Sequence, residues 1–251
     1  MNTTSNRIAA AFSAGAMAYD EAARPQQAIA RCLARRIITA QLGRRPERVL
    51  EIGCGTGFLS TELVKAFPAS YFIFSDIAPG MLARCSGTLG PTYEYRLMNG
   101  EWPDASLGSF DLIVSSLAMQ WFADLRSGLT RLVRQLAPGG RLMFATMGQE
   151  SFAAWRHAHE ALGIPCGLHD YPAPNAFPWP DGTRGTLEIE WLEEHFPDGH
   201  SFLHALKQIG AGTPAFGYKP LSAVQLRRVL ARFAGGFMAR YQILYGVLCG
   251  E

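Results

Sequence analysis

The sequence has no apolar run approaching the ~20 residues that cross a bilayer, no C-x-x-C pair, no H-E-x-x-H and no large excess of either charge. Each gap closes off a class of function. Without a spanning run, and without an apolar core behind Met1-Asn2-Thr3-Thr4-Ser5-Asn6-Arg7, neither a membrane helix nor a secretion signal is expected, and the expected compartment is the cytoplasm. Five cysteines, at 32, 54, 85, 166 and 249, are odd in number and widely spread, which argues against a disulfide framework or a zinc knuckle and for reduced thiols. His200 and His204 stand at helical i, i+4 spacing, but no nearby carboxylate completes a ligand set, so no metal is expected. A formal charge of +2 is too small for general nucleic-acid binding.

What is present is a substantial apolar fraction, 48% of 251 residues, enough for the core of one domain with additions. The cations are mostly arginine and fall in two clusters: Arg31, Arg35, Arg36, Arg44, Arg45 and Arg48, then Arg227, Arg228, Arg232 and Arg240. Solvated helix faces and a surface for an acidic partner both explain such clusters.

The most informative segment is Val49-Leu50-Glu51-Ile52-Gly53-Cys54-Gly55-Thr56-Gly57, an apolar strand running into a three-glycine turn ahead of a helix from about Phe58. Glycine permits positive φ and lets a ligand approach the backbone, while the helix N-terminus offers free N–H groups. Alone, this pattern also fits a dinucleotide fold, usually spaced G-x-G-x-x-G, or a tight turn with no ligand. About 20 residues on, Tyr71-Phe72-Ile73-Phe74 ends in Ser75-Asp76, a strand-end carboxylate suited to both hydroxyls of a ribose.

Strands are expected at Arg48–Ile52, Tyr71–Asp76, Thr92–Met98, Phe110–Ser115 and Arg141–Met147, with Met81–Ser86 and Leu125–Leu136 the clearest helices between them, and a Pro138-Gly139-Gly140 turn before the fifth strand. Alternation of strand and helix predicts an α/β fold around a mostly parallel sheet. Two helices, Ile8 to about Tyr19 and Gln26 to about Gln41, precede this core, and the first is placed to fold over the carboxyl ends of the strands as a lid. Between Gly163 and Arg184 five prolines predict a loop-rich insertion. A strand over Thr186–Leu192, helices over His200–Ile209 and Leu221–Phe233, and a last strand over Gln242–Leu248 complete the chain, with no internal repeat.

In that order, Glu51-Ile52-Gly53-Cys54-Gly55-Thr56-Gly57, the Asp76 strand end, Asn99-Gly100-Glu101-Trp102-Pro103 and the late Pro-Gly-Gly turn resemble the class I S-adenosylmethionine-dependent methyltransferases. The flanks narrow the likeness. Ile8-Ala9-Ala10-Ala11-Phe12 with Tyr19-Asp20 and Gln26, Ser116-Leu117-Ala118-Met119-Gln120-Trp121, Leu206-Lys207-Gln208-Ile209-Gly210-Ala211 and Tyr241-Gln242-Ile243-Leu244-Tyr245-Gly246-Val247 resemble the malonyl-[acyl-carrier protein] O-methyltransferases of biotin synthesis. Quinone-ring and trans-aconitate methyltransferases share the core motifs. Asn99 stands where the wider family often has aspartate, and the insertion is richer in proline than the family pattern.

The resemblance implies a doubly wound, Rossmann-like domain with an N-terminal helical lid (1–43), a cofactor-binding core (44–147), an insertion and substrate cap (148–235) and a terminal strand (236–251). It implies S-adenosylmethionine as cofactor, S-adenosylhomocysteine as product and a malonyl thioester on acyl-carrier protein as substrate, with malonyl-coenzyme A as the alternative carrier. Nucleic acid and membrane are not expected partners. Glu51, Gly53, Gly55 and Gly57 are implied around the amino-acid end of the cofactor with Gln26, Asp76 at the ribose, Ile77, Met81 and Trp102 on the adenine faces, and Asn99, Gly100 and Glu101 at its edge. Ser115 and Leu117 complete that set. Tyr19, Gln120 and Trp121 are implied at the reaction site, although a core tyrosine, a solvent-facing Gln26 and a core tryptophan are the plain alternatives. A carboxylate with a pKa near ~4 is ionised at neutral pH and needs no base, whereas a phenol or carbon acceptor benefits from one. Methylation of another small molecule, by trans-aconitate-like or quinone-type chemistry, and a non-catalytic binding module remain the competing readings.

Overall fold

The computed structural model describes residues 3–215 and 217–250. Seven strands form one sheet in the order β3-β2-β1-β4-β5-β7-β6. β1 (Arg48–Ile52), β2 (Tyr71–Asp76), β3 (Glu94–Leu97), β4 (Phe110–Ser116) and β5 (Leu136–Met147) run parallel, and β7 (Phe237–Cys249) inserts antiparallel between β5 and β6 (Gly185–Phe196). Parallel strands need crossovers, and three of the four are helices, α4 (Phe58–Ala66), α5 (Pro79–Leu89) and α6 (Leu125–Val133), while that from β3 to β4 holds only a 3-10 turn at Ala105–Leu107.

Period-two alternation sends Val49, Leu112 and Val114 to the layer of α3 (Arg24–Ala40) and α4, with Ile29, Leu33, Ile37, Leu59 and Leu63. Leu50, Ile52 and Ile113 go to the other layer, with Leu129 and Leu132 of α6 and the ring of Phe144. With both faces covered, the central strands are near-continuously apolar, which is why composition alone marks them.

Several elements depart from the sequence expectation. The first helix, α1, spans Thr3–Gly15 and stops four residues before Tyr19, which opens a separate short helix, α2 (Tyr19–Ala22). The break falls at Gly15, which packs on the end of α8 (Gly199–Gln208) so closely that a Cβ there would lie 2.8 Å from the Gln208 carbonyl oxygen. The Pro138-Gly139-Gly140 segment is a bulge at the start of β5, between the pairs Phe110–Leu136 and Leu112–Arg141. The third strand is shorter than expected and α7 (Ala153–Ala161) is an added helix. Within 148–235, expected to be an insertion and cap, β6 pairs with β7 along its whole length and so belongs to the sheet. The strand expected over Thr186–Leu192 is its first part, and its edge position leaves most of its residues exposed. The last helix is α9 (Ala223–Ala231), closed by a reciprocal Ser222–Gln225 capping box.

Candidate active site

The strand order reverses between β1 and β4, and the crevice outside the carboxyl ends of such strands is where doubly wound sheets hold ligands. A cleft of about 700 Å³, counted with the open space at its mouth, lies there. Its floor is the glycine turn. Gly53, Gly55 and Gly57 have φ of +69°, +55° and +102°, a region costly for residues with a Cβ. At Gly53 a Cβ would collide with the Ala118 side chain, whereas above Gly55 there is open space within 4 Å. Gly57 caps α4 instead of facing the cleft.

Asp76 holds this floor to the end of β2. Oδ2 accepts from the Gly55 N–H at 2.9 Å and Oδ1 from the Ala78 N–H at 2.8 Å, where α5 begins. Burial pushes the Asp76 carboxyl up, and its bonds from the Ala78, Gly55 and Ile77 N–H groups oppose this. Three N–H donors leave the carboxylate with lone-pair capacity for a ligand hydroxyl.

The far wall comes from β4. Leu117 holds a left-handed φ of +53°, unusual for a branched side chain, braced by its N–H donating to Ala145 O at 2.9 Å and by its carbonyl accepting from Gln120 Nε2 at 2.7 Å. Trp121 lines the cleft and packs edge-on to Phe12 (5.4 Å) and to His169 (4.9 Å). Ser5, Ile8 and Phe12 of α1 reach the same cleft, and Tyr19 closes it beside Phe58. Burial raises the Tyr19 phenol, and the neighbouring Asp76 and Asp20 carboxylates add to the shift, so the phenol stays protonated.

The cleft thus unites Tyr19, Trp121, Gly53, Gly55, Asp76, Ile77, Met81, Asn99, Gly100 and Leu117 of the expected set. The others lie elsewhere. Trp102 is 61% exposed and its ring carries the Arg131 guanidinium at 3.4 Å, so it does not wall the cleft. Glu101 is buried away from the cleft, its carboxylate accepting from the Ala123 and Asp124 N–H groups at 3.0 Å each. Gln120 braces Leu117 and Thr146. Gln26 lines a separate small cavity with Glu194 and Tyr241, and its Oε1 is buried without a partner. Ser115 points between strands, donating to Ile52 O at 3.0 Å, and Ser116, one residue out of phase, takes the cleft position.

Glu51 lies beneath the turn. Its Oε2 is buried with no partner, and burial, then Cys85, then Asp76 push its carboxyl well above the usual range against a hydrogen bond from Ser60. A buried carboxyl oxygen without a partner, beneath the glycine turn, lacks the hydrogen bond that such groups usually make. Ile8, Phe12, Ile52, Met98, Ala118 and Phe122 also line the cleft and were not singled out from sequence. The i, i+4 spacing of Ile8 and Phe12 marks one face of α1, and Ile52 and Ala118 lie within the motifs quoted above. Among the described residues no cluster of three or more His, Cys, Asp or Glu is placed to hold a metal, and no helix is long and apolar enough to cross a membrane.

Comparison with known proteins agrees with this architecture. Residues 50–142 match the family model described as a methyltransferase domain. Among solved structures, the YcgJ protein of Bacillus subtilis (TM-score 0.59, 15% identity, 88% of this chain and 99% of that one) shares the fold. So does the plantazolicin methyltransferase BpumL, determined in complex with SAH (0.57, 13%, 98% and 96%). The Biotin biosynthesis bifunctional protein BioCD of Bordetella avium is 42% identical over 95% of this chain, which spans about half (51%) of that relative. The Malonyl-[acyl-carrier protein] O-methyltransferase of Magnetococcus marinus is 43% identical over 239 residues, 92% of this chain and 88% of that one. With a methyltransferase sheet, a glycine-floored cleft at its switch point and this identity across nearly the full length of both chains, the protein belongs to the malonyl-[acyl-carrier protein] O-methyltransferase family.

Proposed function

We propose that the cleft binds S-adenosylmethionine and that the enzyme methylates the free carboxylate of a malonyl thioester carried on acyl-carrier protein, giving the methyl ester used in biotin synthesis. The residues present suit that cofactor. Gly55 leaves room for close approach to the backbone, Asp76 offers remaining lone-pair capacity to a ribose hydroxyl, and the unpaired Glu51 Oε2 suits an ammonium. Met81, Ile77 and Met98 supply an apolar seat for a base, edged by Asn99. When bound, S-adenosylmethionine supplies a methyl group on a positively charged sulfur.

The observation that carries the choice of acceptor is the absence of a base among the described residues lining the cleft. Its titratable side chains are Asp76, committed to two backbone N–H groups, and Tyr19, held protonated. An acceptor that must shed a proton finds no taker there, whereas a carboxylate arrives ionised. The chain's own part is then alignment and exclusion of water: Tyr19 donates a hydrogen bond, Trp121 and Phe12 wall the acceptor, and α1 roofs the cleft.

For the carrier protein, the exposed arginines without carboxylate partners are the candidate landing surface. Arg36 is tied to Glu188 and Glu190, Arg48 to the Ser109 and Leu107 carbonyls, and Arg240 to Glu193. Arg31 and Arg35 on α3, and Arg227, Arg228 and Arg232 on or just after α9, remain exposed to meet an acidic partner. The direct test is mass spectrometry of purified protein with S-adenosylmethionine and malonyl, succinyl or acetyl thioesters. A one-methyl mass gain confined to the malonyl substrate, faster on carrier protein than on coenzyme A and slowed by salt, is expected. Methylation of acetyl thioester, or of none, sinks the proposal.

A further inference from the structure

The cleft holds no cation of its own. Among the described residues that line it, none is lysine, arginine or histidine. The groups there that can carry charge are acids, Asp76 in the cleft and Glu51 beneath its glycine floor. A carboxylate brought into such a site loses water and meets acidic neighbours, which is costly unless hydrogen bonds and an opposite charge receive it. The hydrogen bonds must come from neutral donors on the walls, and the charge from whatever shares the cleft.

Few side chains can donate there. Ser5 belongs to the roof, Tyr19 stands beside Asp76, and Asn99 edges the seat assigned to the base. Ser116 is different: it ends β4 on the wall that carries Trp121, and its hydroxyl makes no hydrogen bond within the described residues. Its neighbour Ser115 is already committed to Ile52 O. Just beyond, Leu117 is pinned in its left-handed conformation by its own N–H bond to Ala145 O and by the Gln120 amide on its carbonyl, so the Ser116 hydroxyl is presented from a fixed backbone. We propose that Ser116 is the specificity-determining donor to the acceptor carboxylate, and that the walls give this carboxylate hydrogen bonds alone, so that it is retained only beside a positively charged cofactor. This rests on the carboxyl-methylation reading above. A hydroxyl donates to a carboxylate without neutralising it, which leaves the oxygen free to attack. Transfer cancels both charges, so the attraction that retains the substrate is absent from the product complex.

The test is binding, measured by calorimetry with malonyl-coenzyme A and acetyl-coenzyme A as probes. The protein is saturated either with S-adenosylhomocysteine, neutral at sulfur, or with sinefungin, an analogue that carries an ammonium in place of the charged methyl-bearing sulfur. The probes differ only at the acyl end, so the ratio of their affinities reads the carboxylate. In wild type the preference for malonyl should be about tenfold or more greater on the sinefungin complex than on the S-adenosylhomocysteine complex, the scale of one close charge pair near a protein surface. Ser116→Ala should lower the preference on the sinefungin complex about tenfold, the scale of one hydrogen bond to a charged group, while the affinities for both analogues and the melting temperature hold. Ser116→Thr, which keeps the hydroxyl, should retain part of it. Equal preferences on the two complexes, or none on either, overturn the proposal. So does an alanine variant that keeps the full preference, or one that loses S-adenosylhomocysteine affinity, since the hydroxyl then serves the cofactor. Should Ser116→Ala fail to fold, Ser116→Cys, similar in size but a weak donor, decides: a full wild-type preference there overturns the proposal. Failure of the wild type to methylate any malonyl thioester refutes the underlying reading instead, and that assay is separate.

Discussion

Replacing Asp76 by alanine should weaken both the fold and the ligand site, by amounts that follow from its contacts. The carboxylate accepts two backbone N–H groups, from Gly55 at 2.9 Å and Ala78 at 2.8 Å, and is only 7% exposed. Hydrogen bonds to a charged group contribute about 1.5–3 kcal/mol each, so the pair is worth about 3–6 kcal/mol if both N–H groups stay dry. Two effects reduce this: the carboxylate is itself penalised by burial, and the residue borders an open cleft from which water reaches the vacated space. A net loss of about 3 kcal/mol leaves a protein of ordinary stability folded and lowers its melting temperature by about 6–12 °C for a chain of this size. Affinity for S-adenosylmethionine should fall by about 2–3 kcal/mol, or about 30- to 150-fold, from loss of the hydroxyl acceptor. Asp76→Asn should show a smaller loss of stability, because one edge of the amide still accepts while the other meets an N–H with a donor. Scanning calorimetry and titration calorimetry on the same samples measure both. An alanine variant with wild-type melting and wild-type affinity would refute both the floor and the ribose assignment.

Tyr19→Phe should slow methyl transfer severalfold while shifting S-adenosylmethionine affinity by no more than about threefold, since a single neutral hydrogen bond is worth ~1 kcal/mol; an unchanged rate removes the phenol from the reaction. Glu51 has a folded pKa raised by burial, so its contribution to stability is complete below the ordinary glutamate value of about 4.3 and is lost as pH rises through the folded value. Glu51→Gln should therefore gain stability over wild type in the ligand-free protein as pH climbs from about 4 to neutral, and parallel melting curves across that range would contradict the burial argument. Gly210 has φ +75°, and a Cβ there would lie 2.7 Å from the Phe12 Cα. Gly210→Ala should unseat α1, read as faster amide exchange in 3–15 with the sheet unaffected, and unchanged exchange would mean that the roof does not depend on this contact. Trp102→Ala, on a ring occupied by Arg131, should leave S-adenosylmethionine affinity within roughly twofold, as for other surface changes; a large loss would return Trp102 to the site.

The sequence by itself determined the parallel sheet and its ligand end. Central strands buried on both faces must be apolar throughout, and a turn requiring three positive φ angles must be glycine, so β1, β2, β4 and the Gly53-Gly57 floor are written in residue type. Asp76 was legible for the same reason, as a lone carboxylate ending an apolar run. Tertiary structure alone decided what a residue's neighbours make of it. Glu101 and Trp102 sit beside Asn99 and Gly100 in the chain, yet the turn sends one to cap backbone N–H groups and the other under Arg131. Ser115 and Ser116 differ by a single step of strand register, which puts one hydroxyl between strands and the other in the cleft. The break of α1 at Gly15 falls where α8, nearly 200 residues later in the chain, approaches it, and the extension of the edge strand β6 past the expected Leu192 to Phe196 follows its ladder to β7. Such contacts join residues distant in sequence, and local propensity carries no record of them.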